Sequence, residues 1–294
     1  MSSFDSTEFP PGFFLPTENF NNAINAIALS AIVITITHLA TFHLINSQSK
    51  RYSLSRKDAF KASYQLTNLL VNFSIGIYGL HECMKSKDFL FSKWSEGGIA
   101  DHVFHHENCY LFPAFQVGYN LWSLPVGILY VKEPPSMIVH HISVIIICSL
   151  SATSHFGFRI HAPYFLGMFE LSSVPLAVVN YLKDHHDWTV KHCKGPFMMM
   201  KILFAVTFVS IRIVLGTPHM YHSTKAAYWA TFRFAWGETS FNSPLLRTWV
   251  GFVLLGQMFM ALLQYWWAYL IGKAVARIGN PKTKSSNANE KKTN

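Results

Sequence analysis

The chain has 294 residues, half of them hydrophobic and 15% aromatic, with only 13% charged and a mean hydropathy of +0.22. A soluble globule carries roughly 25% charged residues to wet its surface, so this composition excludes a disordered or fibrous chain and points to lipid as the main solvent. The net charge of +9 could serve nucleic acid, an anionic membrane surface or membrane topology, while four cysteines without a CxxC pair give neither a zinc ribbon nor a dense disulfide framework.

Residues 1–22 hold Asp5, Glu8 and Glu18 but no Lys or Arg, so the cationic start of a cleavable signal peptide is missing. The first apolar run is therefore expected to persist in the mature protein. A bilayer core takes about 20 mostly apolar residues, and seven stretches qualify: 23–45, 62–83, 109–131, 137–154, 162–182, 197–216 and 246–272. The predicted fold is all-α integral membrane with seven transmembrane helices. Pro125, Pro175, Gly76 and Gly118 fall inside these spans, which packed membrane helices tolerate. An eighth segment, 226–236, is short and carries Arg233; it reads as interfacial.

Fifteen of the cations lie in the loops after spans 1, 3 and 5 and in the tail after span 7, against seven on the other side. By the positive-inside rule this places the C-terminus in the cytosol and residues 1–22 in the lumen. The basic excess is then a topology signal, and no nucleic-acid partner is expected. The expected organisation is a lumenal segment over 1–22, a first helix over 23–45, a core over 57–274 and a disordered basic cytosolic tail over 275–294. That tail ends Lys291-Lys292-Thr293-Asn294. Lysines in these positions resemble the dilysine retrieval signal of endoplasmic-reticulum membrane proteins, a receptor-read address.

An ionisable group at mid-bilayer costs about 2.5–3.5 kcal/mol on insertion scales and must face the bundle interior. His140 and His141 lie near the cytosolic end of span 4, roughly 5–6 Å deep; Glu170 in span 5 and Arg212 in span 6 lie roughly 18 and 22 Å deep at 1.5 Å per residue. Glu170 and Arg212 are at one depth and are expected to form a buried ion pair that locks helix register. Glu170 is too far from the histidines to orient either imidazole directly. Lys201, Asn180, Ser123 and Gln264 are the polar residues expected near the histidines, around a pocket that also includes Tyr119. Adjacent helical residues point about 100° apart, so one histidine should face the bundle centre and the other a neighbouring helix. A histidine so placed can act as general base or nucleophile on an activated acyl group, or can be a satisfied structural residue.

Five features in order carry a resemblance: Gly118-Tyr119 in span 3, His140-His141 at the start of span 4, Glu170-Leu171-Ser172-Ser173-Val174-Pro175 in span 5, Arg212 in span 6 and Gln264-Tyr265-Trp266 in span 7. The chain resembles the TLC-domain family over about 57–274. Ceramide synthases and translocating-chain-associated proteins are among its members. The resemblance implies a helical bundle around a lipid-sized cavity, with the first span added ahead of a six-helix core. Two departures separate the chain from the synthases. The position where the family usually has an aspartate in span 3 is Ser123, and Tyr164 to Phe169 contain no acid or imidazole. The match is closer to the non-synthase branch, which implies binding or sensing of lipid and an influence on membrane lipid composition. The alternatives are an acyl-CoA-dependent N-acyltransferase using His140 or His141 on a sphingoid base, and a translocon-associated interaction protein.

His102-Val103-Phe104-His105-His106 matches one histidine box of the membrane di-iron desaturases. It lies across the bilayer core, about 30 Å thick, from His140-His141 and His185-His186, so these cannot share a metal; no metal or cofactor is expected. Asp184-His185-His186-Asp187 reads as a solvated loop. Cys83 and Cys109 end and begin adjacent spans near the lumen, where a bridge is open to them; Cys148 and Cys193 read as thiols. Trp267 and other aromatics fit interfacial belts. The sequon Asn72-Phe73-Ser74 sits within span 2, beyond the reach of glycosylation.

Overall fold

A computed structural model describes residues 17–52, 55–85, 110–154, 161–232 and 244–279. They form α1 (Thr17–Tyr52), α2 (Arg56–Lys85), α3 (Leu111–Val126), α4 (Pro135–Thr153), α5 (Pro163–Asp184), α6 (His186–His192), α7 (Lys194–Phe208), α8 (Gly216–Phe232) and α9 (Pro244–Gly279). No strand occurs among the described residues. Five segments are long and apolar enough to cross a membrane: Thr17–Gln48, Pro135–Thr153, Pro163–Asp184, Lys194–Lys225 and Gly251–Ala276. The described chain is thus an all-helical, multi-pass membrane bundle. Leu, Ile, Val, Met and aromatic side chains stand exposed along the length of these helices, as lipid-facing surface requires. Thr35, exposed on α1, and Thr37, partly exposed there, donate their hydroxyls to the carbonyls of Ala31 and Val33 at 2.7 and 2.8 Å, which satisfies them without water.

α2 is not among the five. Its polar residues Tyr64, Asn68 and Asn72 recur every four positions and are buried, so they form one inward stripe that lowers the helix's hydropathy without exposing it to lipid. Below that stripe Gly76 and Gly79 meet α5. A Cβ on Gly79 would intrude on the Met168 backbone, and one on Gly167 would stand 2.7 Å from the Gly79 Cα, so the two backbones touch only because both residues lack side chains.

Three helices carry wide π turns: Gly127–Val131 continues α3, Pro163–Gly167 opens α5 and Val209–Val214 continues α7. In α5 a 3-10 turn, Met168–Ser172, comes at once before regular helix resumes at Ser173. Such departures cluster at functional sites, and here they hold Glu170 and Arg212. α1 lies against α2 and α3, where Trp122 Nε1 donates to His38 Nδ1 at 3.2 Å and stacks on Tyr64.

Several boundaries differ from expectation. α1 begins at Thr17, inside the segment assigned to the N-terminal extension, and α9 runs to Gly279, into the stretch assigned to the tail. The segment expected to lie in the interface overlaps the end of α8, which continues the direction of α7 after Leu215. Asp184 closes α5, and His185 alone separates it from α6. The HxxHH box, Cys109 and the Lys291-Lys292 tail lie outside the described residues.

Candidate functional site

A cavity of about 450 Å³ lies between α2, α3, α4, α5, α7, α8 and α9, within the range of small-molecule sites. Most of its wall area is apolar, with Val144, Ile147, Phe165, Leu176, Phe204 and Met260 among the lining residues, but polar side chains are numerous on it, and many of them are joined by hydrogen bonds.

The connection starts at Glu133. The wide turn at the end of α3 finishes with Lys132 in the left-handed region, φ 65°, and the backbone N–H groups of Lys132 and Glu133 both donate to the Gly127 carbonyl at 2.8 and 3.1 Å. Pro134 and Pro135 then fix the entry into α4. Glu133 is thereby aimed back into the bundle. Its Oε1 accepts from the Tyr64 hydroxyl at 2.8 Å and its Oε2 lies 3.1 Å from His141 Nε2. Gly127 makes room for it: a Cβ there would stand 2.8 Å from Glu133 Oε2.

His141 is 5% exposed, and its other ring nitrogen, Nδ1, lies 2.6 Å from Asn120 Oδ1. The Asn120 amide nitrogen donates to the Gln116 carbonyl at 2.7 Å, so Oδ1 is the acceptor and Nδ1 must carry the proton. One proton then belongs between Nε2 and Glu133, as imidazolium with carboxylate or as imidazole with carboxylic acid.

The chain of contacts continues through α3. Gln116 Nε2 donates to the Leu166 carbonyl at 2.9 Å and reaches Glu170 Oε1 at 3.3 Å. Glu170 Oε2 accepts from Ser173 at 2.7 Å and lies 3.7 Å from Arg212 Nη2. Arg212, 7% exposed, also donates to Ser172 Oγ at 2.7 Å, Gln264 Oε1 at 3.2 Å and the Phe169 carbonyl at 3.2 Å. The irregular turns of α5 and α7 present these groups to one another. With most of its N–H groups taken up by protein acceptors, Ser173 Oγ at 3.0 Å included, Arg212 acts as a strut across the bundle.

Tyr119 and Gln264 line the cavity; Tyr119 donates to Asn68 Oδ1 at 2.9 Å. Ser123 is fully buried behind it and exchanges a 2.8 Å hydrogen bond with Tyr64. Lys201 stands apart, its Nζ 3.9 Å from the Phe197 ring centre. His140 and His141 both line the cavity but differ in surroundings: His141 joins the network, whereas His140 packs edge-on to Trp267 with ring centres 5.4 Å apart. Trp267 thus faces inward, not into an interfacial belt. Glu170 and the histidines are linked by two amides, Gln116 and Asn120, across the separation that their depths imply.

Sequence reasoning missed Glu133, Tyr64, Asn120 and Gln116. Of the residues expected around the histidines, none supplies the His141 partners, and the missing span-3 acid is made good from the α3–α4 connection. The signals were present: the four-residue spacing of Gln116 and Asn120, and of Tyr64, Asn68 and Asn72, marks inward stripes. Among the described residues no three of His, Cys, Asp and Glu cluster as a metal site.

A comparison with curated proteins finds no match. The family model of the TLC domain matches residues 61–273, well over half of the chain. The chain belongs to the TLC-domain family.

Proposed function

We propose that this TLC-domain protein is a seven-span protein of the endoplasmic-reticulum membrane that holds a lipid in its central cavity and influences membrane lipid composition. The carrying observation is the cavity itself: a space of about 450 Å³ in a membrane bundle, apolar over most of its wall area, with Tyr64, Glu133, His140 and His141 among its polar groups. α2 and α3 complete the seven, their polar stripes turned to the cavity. The cation distribution supports a cytosolic C-terminus, which puts the Glu133–His141 end at the cytosolic side. Lys291 and Lys292 are the proposed retrieval signal.

A second reading has one observation in its favour. A histidine with a carboxylate partner on a cavity wall suits acid–base or nucleophilic work on an acyl group, as in an N-acyltransferase taking acyl-CoA and a sphingoid base. His141 is the candidate residue, with Glu133 sharing its proton. Lipids extracted from the purified protein and identified by mass spectrometry test the first reading. Labelled acyl-CoA with a sphingoid base tests the second: product that disappears in His141→Ala supports it, and bound lipid without product leaves the first. Neither bound lipid nor product refutes both.

A further inference from the structure

Three lysines extend the lining of the cavity by one helical turn at the end that holds Glu133. Lys61 precedes Gln65 and Asn68 on α2 by four and seven residues, Lys183 follows Asn180 and Leu176 on α5 by three and seven, and Lys201 precedes Phe204 and Phe208 on α7 by three and seven. All six of those neighbours line the cavity. Residues at such spacings share a helix face, so each lysine continues an inward stripe, and each does so from a different helix.

Helix register brings the three to one level. α2 and α5 run antiparallel, with Gly79 against Met168 and Gly76 against Leu171. Twelve residues on from the second contact, Lys183 comes level with Tyr64 and within a turn of Lys61. α5 and α7 are antiparallel as well, with Phe169 against Gly216 and Ser172 bonded to Arg212. Eleven residues on from that bond, Lys183 and Lys201 stand level.

Lys61 and Lys201 are half-buried and Lys183 is exposed; among the described residues none of the three is in an ion pair. Of the acids at this end, Glu133 is engaged by Tyr64 and His141, Asp58 accepts from the Ser55 hydroxyl, and Asp184 is exposed beside Lys183. The positive-inside preference brings lysines to one end of a bundle but favours no face of a helix. Lys273 shows the difference: it comes two residues after the cavity-lining Ile271, which turns it to the other side of α9.

Resting on the proposed lipid binding, we infer that Lys61, Lys183 and Lys201 form the head-group site of the ligand and that the group they hold is a phosphate monoester. Three ammoniums beside the one exposed carboxylate of Asp184 leave a surplus of two positive charges, and a phosphate monoester carries about −1.5 to −2 near pH 7. A carboxylate would match only one of those charges, and a phosphodiester capped by choline brings its own cation. Lysines serve phosphate as point charges, and the side-chain amides of Gln65 and Asn180, one turn farther in, add neutral N–H donors. Such a phosphate can come as the head group of a single-chain phospholipid or on the nucleotide of an acyl-CoA.

The test measures binding of radiolabelled oleoyl lysophosphatidate, oleoyl-CoA and oleoyl lysophosphatidylcholine to the purified full-length protein in phosphatidylcholine nanodiscs, with empty nanodiscs subtracted. At least one of the two monoester probes should bind about tenfold more tightly than the choline ester, and the tighter of the two names the source. Lys61→Gln and Lys201→Gln should each weaken that probe about five- to tenfold, between the values of exposed and buried charged contacts, and leave the choline ester unchanged. Lys273→Gln makes the same change of charge at the same end and should have no effect. A choline ester that binds as tightly as both monoesters, or a loss in Lys273→Gln equal to that in Lys201→Gln, overturns the inference and leaves lipid binding standing. No binding by any of the three overturns lipid binding itself.

Discussion

Replacing Glu133 separates what its charge does from what its shape does. The carboxylate accepts from Tyr64 at 2.8 Å and meets His141 Nε2 at 3.1 Å. Hydrogen bonds to charged groups contribute about 1.5–3 kcal/mol each, and Tyr64 keeps Ser123 as a second partner, so Glu133→Ala should cost about 2–4 kcal/mol. For chains somewhat shorter than this one, each kcal/mol moves the melting temperature by about 2–4 °C, which predicts a fall of roughly 4–16 °C for the alanine variant in nanodiscs. Glu133→Gln should behave otherwise. The glutamine oxygen can accept from Tyr64, and its amide nitrogen can donate to a neutral His141 Nε2, since Nδ1 already holds the proton that faces Asn120. The glutamine variant should therefore melt near the parent, yet it removes the proton that the pair shares. Any acyl-transfer activity should be lost in it, and lipid binding should be kept. If the two variants melt together, the Glu133 contacts do not hold this end of the bundle, and the proton assignment loses its support.

Arg212→Leu leaves Glu170 without its cation and should cost about 3–5 kcal/mol; adding Glu170→Gln should recover about 0.5–3 kcal/mol of that, measured as a double-mutant cycle on thermal stability. Gly79→Ala should destabilise by about 1–3 kcal/mol through overpacking despite the better helix propensity of alanine, because its Cβ would meet the α5 backbone; a stability equal to the parent's in the same melt would show that α2 can move away. Serine at both Lys291 and Lys292 should shift a fluorescently tagged chain from the endoplasmic reticulum to later compartments, and an unchanged distribution would refute the retrieval signal. Limited proteolysis of sealed microsomes should cut the C-terminal tail from the cytosolic side and protect the N-terminal segment.

What the sequence allowed depended on the kind of pattern involved. Spans are long apolar runs and could be counted. Glu170 and Arg212 could be matched because depth grows linearly along a helix, and the different surroundings of His140 and His141 came from the 100° step between neighbours. Glu133 escaped for a different reason. It lies in a connection, where depth arithmetic stops, and its aim is set by the left-handed Lys132, the double acceptor Gly127 and two prolines. Gln116 and Asn120 escaped because an amide in an apolar run carries no charge to draw attention, although the four-residue repeat was visible. Trp267 looked like an interfacial anchor, since only the packing of α9 on α4 shows which way a tryptophan near a helix end faces.

The wide turns of α3, α5 and α7 set the rotational phase of every residue beyond them. A π turn contains about one residue more than an α turn, so removing a single residue from 209–214 would restore ordinary winding and rotate α7 by about 100° relative to α8. A chain shortened there would keep every side chain of the network and lose its alignment. In comparing related bundles, a one-residue gap at these three places therefore means a change of rotation more than a change of length.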